Sequence, residues 1–187
     1  MSRNDRHDGQ HGHDGHDGQH RHDGQDGPDS RGRRSISVTE VVGAAPQRIF
    51  ELLATPARHA ELDGSGMLRG SARGPEVLSG PGDRFSMGMS RRGVKYRSVN
   101  VVVEYERDRL LTWETWGEVG GRRLVGGQRW RYELEPSGTS STRVTHTYDW
   151  SRARLPRLVV ELPGFPKRMR PAMTATLGRL ASLTDRL

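Results

Sequence analysis

Apolar and polar positions alternate along much of the chain, most clearly between residues 128 and 150. Two sets of alternating positions there share large or apolar side chains: Gln128, Trp130, Tyr132 and Leu134, then Val144, His146, Tyr148 and Trp150. Because a period of two places alternate side chains on one face, and residues 136–139 are turn formers, the pattern predicts a β-hairpin. Its aromatic face also carries amide, imidazole and phenol groups, which is typical of a wall that receives a ligand.

Further strands are predicted before this hairpin. Period-two or apolar runs bounded by turn residues predict strands at 36–42, 67–72 (a weak one), 85–89, 95–105 and 110–116. In the long strand, Val99, Val101, Val103 and Tyr105 share one face. The glycine-rich stretch 117–127 is expected to be a hairpin loop. Consecutive strands joined by short turns predict a meandering antiparallel sheet.

Helical spacing of apolar residues occurs near both ends of this strand region. Pro46 is a suitable first helical residue, and the apolar positions after it predict a short helix ending near Ala54. Thr55 and Pro56 begin a second short helix, in which His59 is expected at the surface. A long C-terminal helix begins at Pro166 or Pro171, and its apolar stripe consists of Met169, Met173, Leu177 and Leu180.

Residues 1–34 differ in composition from the rest of the chain. They hold six of the eight histidines, in repeats of His-Asp-Gly, and almost no apolar side chains. Such a segment buries too little surface to offset chain entropy, so we expect a disordered tail before a domain at 35–187. Two interpretations stay open, a solvated tail without a specific partner and loose metal binding by histidines. The candidate metal ligands are His11, His13, His16, His20 and His22.

Composition restricts the classes of function. The chain lacks cysteine, which excludes disulfides and thiolate metal sites. Neither an apolar run of roughly 18 residues nor the apolar core of a secretory signal is present, so we expect a cytoplasmic protein without a membrane span. The net charge is +7, but the arginines are scattered without a nucleic-acid-binding motif, which argues against nucleic acid as a partner. The glycines of 117–127 lack the features of a phosphate loop, and no cofactor is expected. The oligomeric state stays open.

Four stretches in this order resemble a known superfamily: ISVTEVVGAAPQRIFELLA with TPARHAEL, VVVEYERDRLLTWE, GGQRWRYELEPSGTSSTRVTHTYDWS, and the C-terminal helix. The chain resembles the START/Bet v 1-like helix-grip (SRPBCC) superfamily, and within it the polyketide cyclase/dehydrase and lipid-transport group. The resemblance implies an α+β fold in which a curved antiparallel sheet of about seven strands wraps around the long helix. It also implies a cavity for a hydrophobic small molecule between sheet and helix. The stretch 153–165 departs from the pattern and is either a lid or a surface segment packed on the sheet edge.

The candidate ligand-binding residues come from the inward faces of these predicted elements. They are Phe85, Met87, Met89, Trp113, Gln128, Trp130, Tyr132, His146, Tyr148, Met169, Met173 and Leu177. Trp113 and Trp116 are three residues apart and therefore face opposite sides of a regular strand. His146 and Tyr148 are also the candidate acid–base groups, because a neutral imidazole suits proton transfer near pH 7.

Three functions are compatible with these features. The first is binding or transport of an aromatic or lipid-like small molecule, supported by the aromatic–polar hairpin face and the resemblance. The second is a polyketide cyclase or dehydratase that uses the same cavity with His146 and Tyr148. The third is a protein-interaction module with an arginine-rich surface.

Overall fold

A computed structural model of the chain describes residues 34–91, 94–119 and 122–185. Six strands form one sheet, and their bounds are Ser35–Val42 (β1), Arg84–Arg91 (β2), Val94–Glu106 (β3), Leu110–Val119 (β4), Arg122–Pro136 (β5) and Thr142–Asp149 (β6). The helices are Pro46–Ala54 (α1), a 3-10 turn at Pro56–Arg58, His59–Leu62 (α2), a π-helical turn at Arg157–Glu161, and Phe165–Thr184 (α3). This is the predicted α+β order of a strand, two short helices, a run of strands and a long helix.

The sheet is antiparallel, with the strand order β1-β6-β5-β4-β3-β2. It has six strands because the weak strand predicted at 67–72 is not formed. That segment and the residue after it make two isolated bridges with β2, Leu68 with Met89 and Arg73 with Ser86. Gly70, between the bridged residues, has a φ of 91°, and Gly74, after them, has a φ of 142°. Both conformations interrupt an extended strand. The segment therefore lies along β2 without becoming a strand.

The face predicted for β3 is wrong, because a bulge divides the strand between Val102 and Glu104. Before the bulge, Ser98, Asn100 and Val102 are the buried residues of β3. After it, Tyr105 points inward and packs edge-on against Phe50, with ring centroids 5.3 Å apart. One inserted residue reverses the alternation, so an unbroken period of two cannot describe this strand.

The stretch 117–127 is also largely strand instead of the predicted loop. β4 continues to Val119 and β5 starts at Arg122, with register shifts at Thr115–Trp116 and at Gly117–Glu118. Gly126 and Gly127 have φ values of 149° and 90°, and a Cβ at Gly126 would lie 2.6 Å from the carbonyl oxygen of Thr115. The glycines therefore allow a bulged, tightly paired hairpin.

The predicted hairpin at 128–150 is present with the expected faces. Trp130 pairs with Tyr148, Tyr132 with His146, and Leu134 with Val144. Directly paired residues of antiparallel strands lie on the same side of the sheet, so these six side chains point inward together.

α3 lies against the inner side of the sheet through the predicted stripe. Met169, Met173, Leu177 and Leu180 are buried. The helix begins at Phe165, so Pro171 lies inside it, and its exposed position keeps the ring away from the core. Leu177 and Leu180 belong to the main core with α1 and β2–β6, whereas Met169 and Met173 belong to a second cluster with Tyr148, Trp150 and Val160.

A close backbone contact holds the loop after α2 against α3. The amide of Gly64 donates a hydrogen bond of 3.0 Å to Thr176 Oγ1. A Cβ on Gly64 would overlap the carbonyl oxygen of Ala172 and approach the backbone nitrogen of Thr176 to 2.7 Å. Only glycine fits this contact without displacing backbone.

We expect Gly64→Ala to lower the free energy of unfolding by about 1–3 kcal/mol, since the added methyl group meets backbone atoms that cannot rotate away. Gly178→Ala on α3 is the matched control, because a Cβ there meets nothing within 4 Å and alanine favours helix by roughly 0.5–1 kcal/mol. Urea unfolding of both variants measures the two effects. A Gly64→Ala protein as stable as the unsubstituted chain would contradict this packing.

Candidate functional site

A cavity of about 140 Å³ lies between the inner face of the sheet, the segment from His59 to Leu68 and the first half of α3. Its wall is mostly apolar with a few polar groups. It is lined by Leu53, His59, Leu62, Asp63, Ser65, Met67, Leu68, Met87, Met89, Ser98, Asn100, Trp113, Thr115, Trp130, Tyr132, His146, Met169, Ala172, Met173 and Thr176.

Eight of the twelve candidate ligand-binding residues lie on this wall: Met87, Met89, Trp113, Trp130, Tyr132, His146, Met169 and Met173. The other four are not on it. Phe85 and Leu177 are buried in the main core, and Tyr148 is buried in the second cluster. Gln128 is half-buried and pairs with Thr115 at the adjoining part of β5. The ligand-binding role of all twelve stays a prediction.

Methionine is concentrated at the cavity. The chain contains six methionines, and the five in the described residues all line the wall. Met87 and Met89 come from β2, Met169 and Met173 from one stripe of α3, and Met67 from the segment after α2. Unbranched thioether side chains change rotamer at little cost, so this wall can adapt its shape to an occupant.

The aromatic side chains of the wall stack on one another in a row. His59 stacks on Trp113, Trp113 on Tyr132 and Tyr132 on His146, with centroid separations of 5.1, 5.5 and 4.0 Å and interplanar angles of 21°, 27° and 14°. Trp130 continues the row beside His146, with centroids 5.8 Å apart. Because ring faces are covered by neighbouring rings, an occupant of the cavity meets mainly ring edges.

His146 is the most unusual polar group of the site. It is 3% exposed, and neither Nδ1 nor Nε2 has a hydrogen-bond partner among the described residues. Burial lowers the pKa of His146 to about 3, so the ring is neutral near pH 7. A neutral imidazole carries one donor and one acceptor, and leaving either unpaired in the interior costs about 1–3 kcal/mol.

His59 is buried, and its predicted surface position is wrong. Pro56, His59 and Leu62 are buried at a spacing of three residues, on the inward side of the short helical segment. Nε2 of His59 donates a hydrogen bond of 2.7 Å to the carbonyl oxygen of Leu53. Burial outweighs this hydrogen bond and lowers the pKa of His59 to about 4. The three-residue spacing was a signal in the sequence that could have indicated burial.

Several other polar groups of the wall are held by protein partners. Thr115 Oγ1 donates to Asn100 Oδ1 at 2.7 Å, and Asn100 Nδ2 donates to the carbonyl oxygen of Phe85 at 3.4 Å. The carboxylate of Asp63 accepts hydrogen bonds from the amide and hydroxyl of Ser65 and from the amide of Leu68. His146 therefore differs from Thr115, Asn100 and Asp63 in lacking such partners.

Several wall residues were missed by reasoning from the sequence. Ser98 and Asn100 alternate with valines, so their strand pattern pointed the valines inward. Met67 lies in a segment without clear periodicity. Trp113 and Trp116 do face opposite sides, because Trp113 pairs with buried Val102 whereas Trp116 pairs with Val99. Trp116 donates its indole N–H to Glu114 at 2.8 Å and is not a wall residue.

The candidate acid–base pair is only partly assembled. His146 lies on the wall, whereas Tyr148 packs on Trp130 with centroids 4.5 Å apart and on Trp150 with centroids 5.4 Å apart. Burial raises the pKa of the Tyr148 phenol, and a hydrogen bond with Gln128 opposes this effect to a smaller extent. Burial also raises the pKa of Tyr132. Both phenols are therefore neutral at physiological pH.

The stretch 153–165 begins beside the sheet and includes the π-helical turn. Ala153 and Val160 are buried in the second core cluster, together with Met169 and Met173. Glu161 accepts hydrogen bonds from Arg34 at 2.9 Å and from the indole of Trp150 at 3.1 Å. The hydrogen bond from Arg34, and to a smaller extent the one from Trp150, lowers the pKa of Glu161. The stretch is therefore anchored on its inner side, next to the helix residues of the cavity wall.

Within residues 34–91, 94–119 and 122–185, no group of three or more metal-ligating side chains is close enough to hold a metal ion. The histidines proposed as loose metal ligands, at 11 to 22, lie outside the described residues. None of the helices in the described part of the chain has the length and apolar composition required to cross a membrane.

Comparison with curated proteins finds a relative in Mycobacterium tuberculosis. The chain is 35% identical over 153 residues to the uncharacterized protein Rv0088 of strain H37Rv, a match that covers 80% of this chain and 63% of Rv0088. A second relative, MT0096 of strain CDC 1551, is 34% identical with the same coverage. The chain thus spans less than two thirds of the length of these relatives.

Solved structures with the same fold are more distant in sequence. The Zhui aromatase/cyclase from Streptomyces sp. R1128 superposes with a TM-score of 0.61 at 14% identity, covering 82% of this chain and 94% of that protein. A START superfamily protein from Mycobacterium smegmatis gives a TM-score of 0.58 at 15% identity, covering 81% of this chain and 97% of the other. At this identity the similarity shows the fold alone.

The family model described as polyketide cyclase/dehydrase and lipid transport matches residues 33–184. The match includes the whole sheet, both short helices and α3. The chain therefore belongs to the polyketide cyclase/dehydrase and lipid-transport family.

Proposed function

We propose that this chain binds an uncharged, largely apolar small molecule that carries one hydrogen-bonding group directed at His146. The observation that carries the proposal is the pair of buried nitrogens of His146, neither of which has a hydrogen-bond partner among the described residues, in a wall that is mostly apolar. A ligand hydroxyl or carbonyl group would satisfy one nitrogen and remove part of the cost of burying it.

The size of the cavity limits what enters it without rearrangement. An apolar cavity of about 150 Å³ is large enough for benzene, and this cavity is about 140 Å³. A single ring, or the first ring of a longer molecule, therefore matches the space. Larger occupants require the methionine side chains of the wall to move, which their flexibility permits.

Access to the His146 nitrogens also depends on such movement. Both atoms are shielded in the unliganded wall, although the ring itself lines the cavity. Met173 is the flexible wall residue that is most deeply buried, at 1% exposed, and a change of its rotamer would alter the cavity without moving the sheet. The bound state in this proposal therefore differs from the unliganded state mainly in side-chain rotamers.

The enzymatic alternative, a cyclase or dehydratase with His146 as acid–base group, is favoured by the location of this ring on the wall and by the aromatase/cyclase of similar fold. Two features weigh against it. A base with a pKa of about 3 has little driving force to accept a proton at pH 7. The second candidate, Tyr148, packs away from the wall. Loss of turnover in His146→Gln, with an identified substrate still bound, would favour the enzyme.

Replacement of His146 by Phe is expected to change ligand preference. The phenyl ring can keep the stacking on Tyr132 but offers no hydrogen bond, so the ratio of phenol affinity to benzene affinity should fall about tenfold, the value of one good hydrogen bond. Titration calorimetry with phenol and benzene on the full chain measures both constants. The same variant should unfold at equal or higher temperature, since two unpaired buried nitrogens are removed.

Thr145→Val is the control for this experiment, because Thr145 precedes His146 but points to the outer side, where its hydroxyl contacts Thr39 at 3.1 Å. The affinity ratio should stay unchanged in this variant. If the ratio of phenol affinity to benzene affinity were unchanged in His146→Phe, the proposal would be overturned. Bound water would then be the expected partner of the imidazole nitrogens.

The proposal also requires neutral imidazoles, which predicts how stability depends on pH. In the unfolded chain His59 and His146 titrate near 6.5, whereas their folded pKa values are about 4 and about 3. The unfolded state therefore binds more protons below pH 6.5, so stability is complete above that pH and falls as the solution is acidified. The loss is roughly 3 kcal/mol or more for each histidine once the folded pKa is reached.

Urea unfolding of the full chain across this pH range provides the test. Carboxylates titrate in the same range, so the contribution of His146 is read from the difference between the unsubstituted chain and His146→Phe. That difference should grow in favour of the variant as pH falls below 6.5. A difference independent of pH would show that His146 is not held neutral.

A further inference from the structure

We infer that the stretch 152–170 is a surface that docks on membranes rich in anionic lipid. This inference is independent of the cavity ligand, because it rests on the solvent-facing side of the chain between β6 and the middle of α3. Two features of that side carry it, a group of exposed leucines and an excess of exposed cations around them.

The exposed leucines are Leu155, Leu158 and Leu162, which are 67%, 60% and 76% exposed. Leu158 lies within the π-helical turn, Leu155 two residues before it and Leu162 directly after it, and all three side chains are on the solvent side of this stretch. The opposite side carries buried Val160. The turn therefore has apolar side chains on its buried side and also on its solvent-exposed side. Large apolar side chains grouped on a surface in this way mark an interaction site.

Leu155 is held in an uncommon backbone conformation. Its φ of 49° lies in the left-handed region, which a branched side chain without hydrogen-bonding groups rarely adopts. The amides of Leu158 and Val159 both donate to the Leu155 carbonyl oxygen at 3.0 Å. The exposed leucine is therefore part of a defined turn.

Cations surround the leucines. Between residues 152 and 170 there are six basic side chains and one carboxylate. The basic residues are all exposed: Arg152, Arg154, Arg157, Lys167, Arg168 and Arg170. The single carboxylate, Glu161, is half-exposed and pairs with Arg34 and the indole of Trp150. The outward charge of this surface is consequently positive.

The arginines on the outer face of the sheet form a contrast. Arg129 pairs with Glu114 at 3.2 Å, and Arg131 pairs with Glu104 and Glu133 at 2.7 and 2.8 Å. Positive charge there is balanced by neighbouring carboxylates. The stretch 152–170 combines unbalanced positive charge with exposed leucines, which is the combination that anionic lipid headgroups and the acyl chains beneath them recognise.

The buried side of the same stretch explains why docking there would matter. Val160 packs in one cluster with Met169 and Met173, which line the cavity. A membrane in contact with the leucines would therefore lie one side-chain layer away from the cavity wall.

Vesicle sedimentation of the full chain tests the inference. The chain should bind vesicles of equimolar phosphatidylcholine and phosphatidylglycerol, and bind vesicles of phosphatidylcholine alone much more weakly. The double variant Leu158→Ser/Leu162→Ser should reduce the partition coefficient about tenfold or more, because both side chains lose apolar burial. Arg154→Gln/Arg157→Gln should reduce it about fivefold for each charge removed.

Matched controls separate this surface from general charge and hydrophobicity. Val41→Ser/Val77→Ser removes two valines that are 52% and 54% exposed elsewhere. Arg107→Gln/Arg143→Gln removes two exposed arginines, one in the turn after β3 and one in β6. Both should bind the mixed vesicles like the unsubstituted chain. Leu155 is left unchanged because its replacement would also alter backbone strain. Phenol affinity of the leucine variant should remain normal, which keeps this test distinct from that of the cavity.

Two results would overturn the inference. One is binding of the mixed vesicles that the leucine and arginine variants leave unchanged. The other is absence of vesicle binding together with concentration-dependent self-association that Leu158→Ser/Leu162→Ser abolishes, measured by sedimentation velocity. That result would assign the surface to a second copy of the chain.

Discussion

The antiparallel pairing of β5 with β6 determines where the rings of the cavity wall lie. Trp130 pairs with Tyr148 and Tyr132 pairs with His146, so a one-residue shift of either strand would turn the two rings of that strand to the outer side of the sheet. β4 adds Trp113 through its own pairing with Trp130. The stacked row is thus a product of strand register, and α3 closes the cavity over it. Such a wall is rigid on the sheet side and adaptable on the methionine side.

Rigidity and adaptability have different chemical roles at this site. The stacked rings exclude water from His146, and this desolvation keeps its imidazole neutral. The methionines can move without breaking a hydrogen bond. A mostly apolar wall with an unpartnered neutral imidazole suits selection of a neutral ligand by a single polar group. It suits stabilisation of a developing charge much less, because the desolvation that keeps the imidazole neutral also disfavours its charged form.

The balance of charge differs between the outer side of the sheet and the stretch between β6 and α3. Arginines on the outer side of the sheet pair with glutamates, so these carboxylates balance most of the positive charge there. The stretch between β6 and α3 has no comparable set of carboxylates among the described residues. A net charge of +7 therefore says little by itself, whereas its location next to exposed leucines indicates a kind of partner.

The sequence by itself determined the element order, the inward face of the hairpin and the stripe of α3, because periodicity records which side of an element is buried. The sequence did not predict the strand bulges, since one inserted residue reverses the inward face without altering local composition. The tertiary structure alone decided that His59 is buried, that Ser98 and Asn100 reach the cavity, and that Tyr148 does not. Each of these outcomes depends on which elements pack against one another, and it is packing that determines whether a polar side chain meets water, a partner or neither.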